Sequence, residues 1–132
     1  AAYAARHMAK NLVAAGVADE ILVQMSYAIG VTEPTSIFVD TYGTSKVNLN
    51  DSEIAKKASY LFDMRPYEIE KRLKLRNPIY LETASYGHMG RKPQKINKTY
   101  SSPYNGEISK EVELFTWEKL DHLKLIKKQF QL

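Results

Sequence analysis

Three histidines, His7, His88 and His122, are the candidates for general bases or nitrogen ligands, and they fall in different predicted elements, far apart along the chain. None belongs to the i, i+4 pair of a zinc-binding helix. With no cysteine in the sequence, disulfides, cysteine nucleophiles and thiolate metal sites are excluded. All three therefore read as surface or hydrogen-bonding histidines rather than metal ligands. His88, between Gly87 and Met89-Gly90, sits where the backbone could be unusual, and a packing role suits it. Ser26, Ser36 and Ser85 lack the G-x-S-x-G context of a nucleophile elbow. Gly87-His88-Met89-Gly90 has neither the spacing nor the Lys-Ser/Thr ending of a phosphate loop. Glu33, Asp40 and Glu82 are carboxylates that folding could bring together, although Glu33 reads better as a loop hydrogen-bond acceptor. Nine tyrosines form no stacking motif for RNA. Residue types and spacing thus supply no catalytic residue and no metal site.

The elements that must position these groups are more legible. From Ala1 to about Ala15, the residues Ala5, Met8, Ala9, Leu12 and Val13 recur at helical spacing, with Arg6, Lys10 and Asn11 mostly on the other side. Gly16 is a good residue to end that helix. Ile21–Ile29 and Ser36–Tyr42 alternate as strands, and a loop shaped by Gly30 and Pro34 joins them into an antiparallel hairpin spanning about residues 20–42. Asn50 or Asp51 caps a helix to about Phe62. Pro66 opens a shorter helix that carries Ile69 and Leu73 inward. Pro78 opens a third segment, which should end at Gly87. Residues 91–115 form a polar, basic excursion with a small hairpin at Asn105-Gly106, and Thr116 caps a last helix to about Phe130 bearing Leu120, Leu123, Ile126 and Phe130. The fold class is α+β, a small antiparallel sheet covered by helices, in one domain over residues 1–132.

Charge is unevenly placed. Residues 1–90 carry 10 basic and 10 acidic side chains, whereas residues 91–132 carry 9 and 5. The basic end reads as the solvated surface of an extension. The alternative is a stand-alone basic module, with the Arg91–Lys98 region holding nucleic acid or another anionic partner. No run approaches the roughly 20 apolar residues of a membrane span. The opening Ala1-Ala2-Tyr3-Ala4-Ala5-Arg6 is helix-forming and has no capping residue, as expected of a fragment.

Four segments add a resemblance. AAYAARHMAKNLVAAGVADEILVQMSYAIGVTEPTSIFVDTYGT, LFDMRPYEIEKRL, NPIYLETASYGHMGR and FTWEKLD occur in the order found in the C-terminal part of the S-adenosylmethionine synthases (methionine adenosyltransferases). Together they cover about three-fifths of the chain. The resemblance implies an enzyme that joins ATP and L-methionine, whose sulfur attacks the ribose C5′, and then hydrolyses the released tripolyphosphate to phosphate and diphosphate. It implies Mg²⁺ and K⁺ in the full-length enzyme, three similar α+β domains, and a cytoplasmic homodimer or homotetramer with no nucleic-acid or membrane partner. The family's catalytic histidine, metal-binding carboxylates and phosphate-binding Lys/Arg residues lie upstream of Ala1. This chain alone is therefore expected to be inactive, to bind neither ion, and to self-associate through uncovered apolar surface. Within Ala28-Ile29-Gly30, Ile29 is the expected substrate-binding residue, an apolar contact near methionine; the other reading has Ile29 ending a core strand. Residues 91–115 are longer than in the commoner members and resemble a lineage-specific extension.

Overall fold

Alanine-rich sequence with a C-terminal glycine makes the first helix, α1 (Ala2–Ala15). Gly16 takes φ 94°, and the N–H groups of Gly16 and Val17 close on Val13 and Leu12 carbonyls. Its buried stripe is Ala4, His7, Met8, Asn11, Leu12 and Ala15. Met8 and Leu12 are where periodicity puts them, but the stripe is rotated: Ala5, Ala9 and Val13 are only half-buried, and Asn11, expected on the outer side, is fully buried.

β1 (Leu22–Ser26) and β2 (Ser36–Asp40) form the expected antiparallel hairpin, with Val23 opposite Val39 and Met25 opposite Ile37 on the core face. The other face carries Leu22 and Phe38, 43% and 52% exposed, so one side of this two-stranded sheet is open. α2 (Asp51–Leu61) starts at a complete capping box. Asn50 accepts from the Glu53 N–H while the Glu53 carboxylate accepts from the Asn50 N–H. α3 (Pro66–Arg72) begins on its proline and buries Ile69, with Leu73 buried just beyond it. The segment after Pro78 forms only a short 3-10 turn, Leu81–Ala84.

Two expectations change in the C-terminal third. The small hairpin is a long ribbon, β3 (Gln94–Ser102) paired along its whole length with β4 (Gly106–Leu114) and turning through Asn105-Gly106. Its base is tied down by Ile96, Val112 and Leu114 in or against the core, with Lys98 on Glu82 at 2.8 Å and Lys110 on Asn77 at 2.9 Å. The single helix expected over residues 116–130 is broken. Thr116–Glu118 is a 3-10 turn entered through Phe115 at φ 52°, Leu120 is exposed, and α4 runs only over Leu123–Phe130. The break has a cause: the Asn11 side chain donates to the Lys119 carbonyl at 2.8 Å and accepts from the His122 N–H at 3.0 Å. Those backbone groups are bonded to α1 instead of closing a helical turn.

The computed structural model describes residues 1–132 and places one core between α1, the hairpin, α2 and α4. Trp117, Phe62, Phe115 and Met8 are its largest fully buried side chains. Tyr3 lies flat on Trp117 at 3.7 Å between ring centres. No helix is long and apolar enough to cross a membrane.

Candidate functional site

The loop between β1 and β2 is held from both ends and presents an apolar tip. Below it, the Ser26 hydroxyl lies 2.8 Å from that of Thr35 and 2.7 Å from that of Ser36, and the Thr35 N–H donates to the Ser26 carbonyl at 2.8 Å. Sideways, the Tyr27 hydroxyl donates to the Met64 carbonyl at 2.7 Å, and partial burial raises its pKa. Glu33 faces Arg65 at 3.8 Å, and Arg65 is itself clamped on Asp63 at 3.0 Å. That hydrogen-bonded ion pair holds the Asp63 carboxyl below its usual range. At the apex, the Val31 N–H bonds the Ala28 carbonyl and Gly30 adopts φ 81°, a left-handed conformation that suits glycine. Ile29 is fully exposed and Val31 half-exposed. β1 ends at Ser26, so Ile29 does not end a core strand.

Beside this loop an open groove of about 990 Å³ runs along β2 and α2, lined by Phe38, Asp40, Asp51, Lys56, Tyr60 and Arg65. Its charges are already committed in part: Asp51 accepts from the Thr41 hydroxyl at 2.6 Å, and Asp40 from the Tyr42 N–H at 2.7 Å. The three carboxylates considered from sequence go to separate partners, Glu33 to Arg65, Asp40 to Tyr42 and Glu82 to Lys98. No acid–base pair is formed. The groove can hold apolar and polar surface, but it carries no proton-transfer machinery.

The Gly87–Gly90 stretch is structural, as its sequence suggested. Tyr86, Gly87 and Gly90 have positive φ, the His88 ring lies 2.7 Å from the Tyr3 hydroxyl, and its carbonyl accepts from the Trp117 indole at 2.7 Å. Arg91 donates to the carbonyls of Glu82, Ser85 and Gly87 and covers the Phe115 ring at 4.3 Å. With Arg91 and Lys98 both engaged internally, the basic-module reading loses two of its cations.

Two clusters escaped the sequence reading. Glu118, whose carboxylate is fully buried, is bonded by Arg6 at 3.0 and 3.2 Å, Lys10 at 2.6 Å and the Gly90 N–H at 2.9 Å. Burial opposes its charge, but these hydrogen bonds prevail and hold its pKa below the usual carboxylate value. The signal available was Arg6 and Lys10 at i, i+4 on one helix face. Likewise His7 and His122 are not apart: their ring centres are 5.1 Å from each other, and both bond Asp121. Nothing in their spacing of more than a hundred residues announced this.

The sequence profile of the S-adenosylmethionine synthetase C-terminal domain matches residues 1–101. The chain belongs to that family. Among curated relatives, the S-adenosylmethionine synthase of Flavobacterium johnsoniae is 70% identical over 132 residues, all of this chain and 32% of that protein. The Bacteroides thetaiotaomicron S-adenosylmethionine synthase is 67% identical over the same length, 31% of that protein. A solved structure, an unusual S-adenosylmethionine synthetase from Campylobacter jejuni, superposes with a TM-score of 0.75 at 35% identity, covering 96% of this chain and 28% of that one. This synthetase C-terminal domain therefore spans about a third of the length of the curated relatives it matches. The α+β class is that of the family, and a stand-alone basic module has no support among these relatives. The family profile stops within β3, whereas the Flavobacterium alignment runs through the whole ribbon.

Proposed function

We propose that this chain is the C-terminal part of a methionine adenosyltransferase that forms S-adenosylmethionine from ATP and L-methionine, releasing phosphate and diphosphate. The observation that carries the reading is 64–70% identity to proteins named S-adenosylmethionine synthase along essentially the entire chain. In this reading residues 1–132 are one of three similar domains, residues 91–115 are an extension carried by one lineage, and the whole enzyme is a cytoplasmic homodimer or homotetramer.

Mg²⁺ and K⁺ belong to the reading but do not fit this chain's residues. Hard cations take several oxygen ligands at once. Here Glu33, Asp51 and Glu82 are separately bound to Arg65, Thr41 and Lys98. Both ions, the reacting triphosphate and every proton transfer are assigned upstream, and no step is drawn through the ions here.

Ile29 is this chain's contribution to the substrate. A side chain fully open to water at the tip of a braced loop suits an apolar wall closed by a bound ligand or a neighbouring domain. In the full-length enzyme, Ile29→Ala should raise KM for methionine about tenfold, equivalent to about 1.4 kcal/mol of lost apolar contact, and leave KM for ATP unchanged. Steady-state kinetics with each substrate varied checks this. Unchanged KM for methionine removes Ile29 from the site, and failure of the full-length protein to make S-adenosylmethionine removes the activity.

A further inference from the structure

His7 stands on the buried face of α1, with its side chain fully enclosed. Asp121 and His122 come from the segment that Asn11 pins against that helix. Nε2 of His7 and Nδ1 of His122 each lie 2.8 Å from one and the same atom, Oδ1 of Asp121. All three donor atoms fall within 4.8 Å of one another. Phe62 holds both rings: it stacks on His122 at 4.5 Å and 17°, and meets His7 edge-on at 5.7 Å and 87°. The two nitrogens are thus aimed at a single point by packing, before any ligand arrives.

Two imidazole nitrogens and one carboxylate oxygen are a donor set for borderline divalent ions such as Zn²⁺, Co²⁺ or Ni²⁺, and a poor one for Mg²⁺ or K⁺. Access exists, because the Asp121 side chain is 41% exposed and that of His122 16%. We propose that His7, Asp121 and His122 form a binding site for a divalent transition-metal ion that links α1 to the chain segment leading into α4. The ion lies between the two nitrogens, on their side of the point now held by Oδ1, with the rings drawn in from 2.8 Å to about 2.0–2.1 Å, and the half-exposed Asp121 swings aside to become the third ligand. Water fills the remaining position. On binding, each ring changes tautomer: the nitrogen that now donates to Oδ1 gives its proton to water, and the nitrogen facing away from the ion takes one up.

Two features limit the affinity. Nδ1 of His7 is buried with no acceptor, so the outer hydrogen bond that usually orients a metal-bound imidazole is missing, a loss of about 10–100-fold. The Arg72 guanidinium, lying over the Phe62 ring at 5.9 Å, adds a like charge nearby.

The test uses the full-length enzyme, freed of metal by chelation and titrated with Zn²⁺ alone against a competing dye in excess Mg²⁺, so that hard-cation sites stay filled. The wild type should bind one more Zn²⁺ than His122→Asn, with Zn²⁺ raising the Tm of the wild type and not of the variant. Co²⁺ should give a visible spectrum of an imidazole-bound ion in the wild type alone. His7→Gln should behave as His122→Asn does. If His7→Gln fails to fold because of its burial, His122→Asn, at a side chain that is not fully enclosed, decides the matter. Equal Zn²⁺ stoichiometry and affinity in wild type and His122→Asn would overturn the proposal.

Discussion

Glu118 illustrates what an enclosed carboxylate needs in order to remain ionised. Desolvation alone would neutralise it, yet Arg6, Lys10 and the Gly90 N–H surround both oxygens and the balance falls on the charged side. Removing one partner of such a group is costly, about 3–5 kcal/mol where a buried pair is broken. Because the folded pKa is depressed, the carboxylate contributes stability above its unfolded value near 4.3, and that contribution is lost as pH falls through the folded value. Glu118→Gln in the full-length enzyme should therefore lower Tm clearly at pH 7 and by less near pH 3.5, where the unfolded-state carboxyl is already mostly protonated. Parallel thermal melts at the two pH values check this, and an equal deficit at both would contradict it. Asn11 is the second decisive residue, with its amide spanning the His7 and Lys119 carbonyls and the His122 N–H. Asn11→Leu would leave the latter two without partners where they meet α1. A loss of about 2–4 kcal/mol is expected from two orphaned backbone groups, read by denaturant midpoint.

At the scale of elements, local rules worked where the signal was local. Gly16, the Asn50–Glu53 pair, Pro66 and Asn105-Gly106 each mark a boundary that the fold respects. The helix expected over 116–130 failed because Asn11, more than a hundred positions away, binds the backbone that the helix would have used. The ribbon was underestimated for a different reason. Residues 97–111 hold one apolar cross-strand pair, Tyr100 opposite Ile108, among polar ones such as Asn97 opposite Glu111 and Lys98 opposite Lys110, so no continuous apolar stripe reveals the strand length. The loop carrying Ile29 was visible as a loop, but its bracing by Tyr27 on Met64 and Arg65 on Glu33 is tertiary. The ribbon's ties to the body lie at its base, through Ile96, Val112, Lys98 and Lys110. Replacing residues 99–109 by Asn-Gly should then change stability by no more than about 0.5 kcal/mol, the range of surface changes. Circular-dichroism melts of the shortened full-length enzyme read this out, and a large drop in Tm would show that the tip is part of the fold's support.

The whole molecule has a closed core and an open side. Leu22 and Phe38 on the bare face of the hairpin, Ile29 and Val31 at the loop tip and Tyr60 beside the groove are all exposed, in a chain a third the length of its relatives. With these apolar side chains uncovered, the isolated chain should self-associate with rising concentration in sedimentation experiments. The same division explains why so little chemistry was legible. The three histidines, Glu118 and Asp121 are bonded among α1, the Gly87–Gly90 turn and the segment before α4, and Ile29, the residue proposed to face the substrate, carries no reactive group. In the proposed function, this domain shapes a site whose reacting groups lie in the rest of the full-length enzyme. The most direct measurement is S-adenosylmethionine formation by residues 1–132 alone, with ATP, methionine, Mg²⁺ and K⁺, beside the full-length enzyme under identical conditions. Product from the full-length enzyme and none above background from residues 1–132 is the predicted result, and clear turnover by the isolated chain would contradict it.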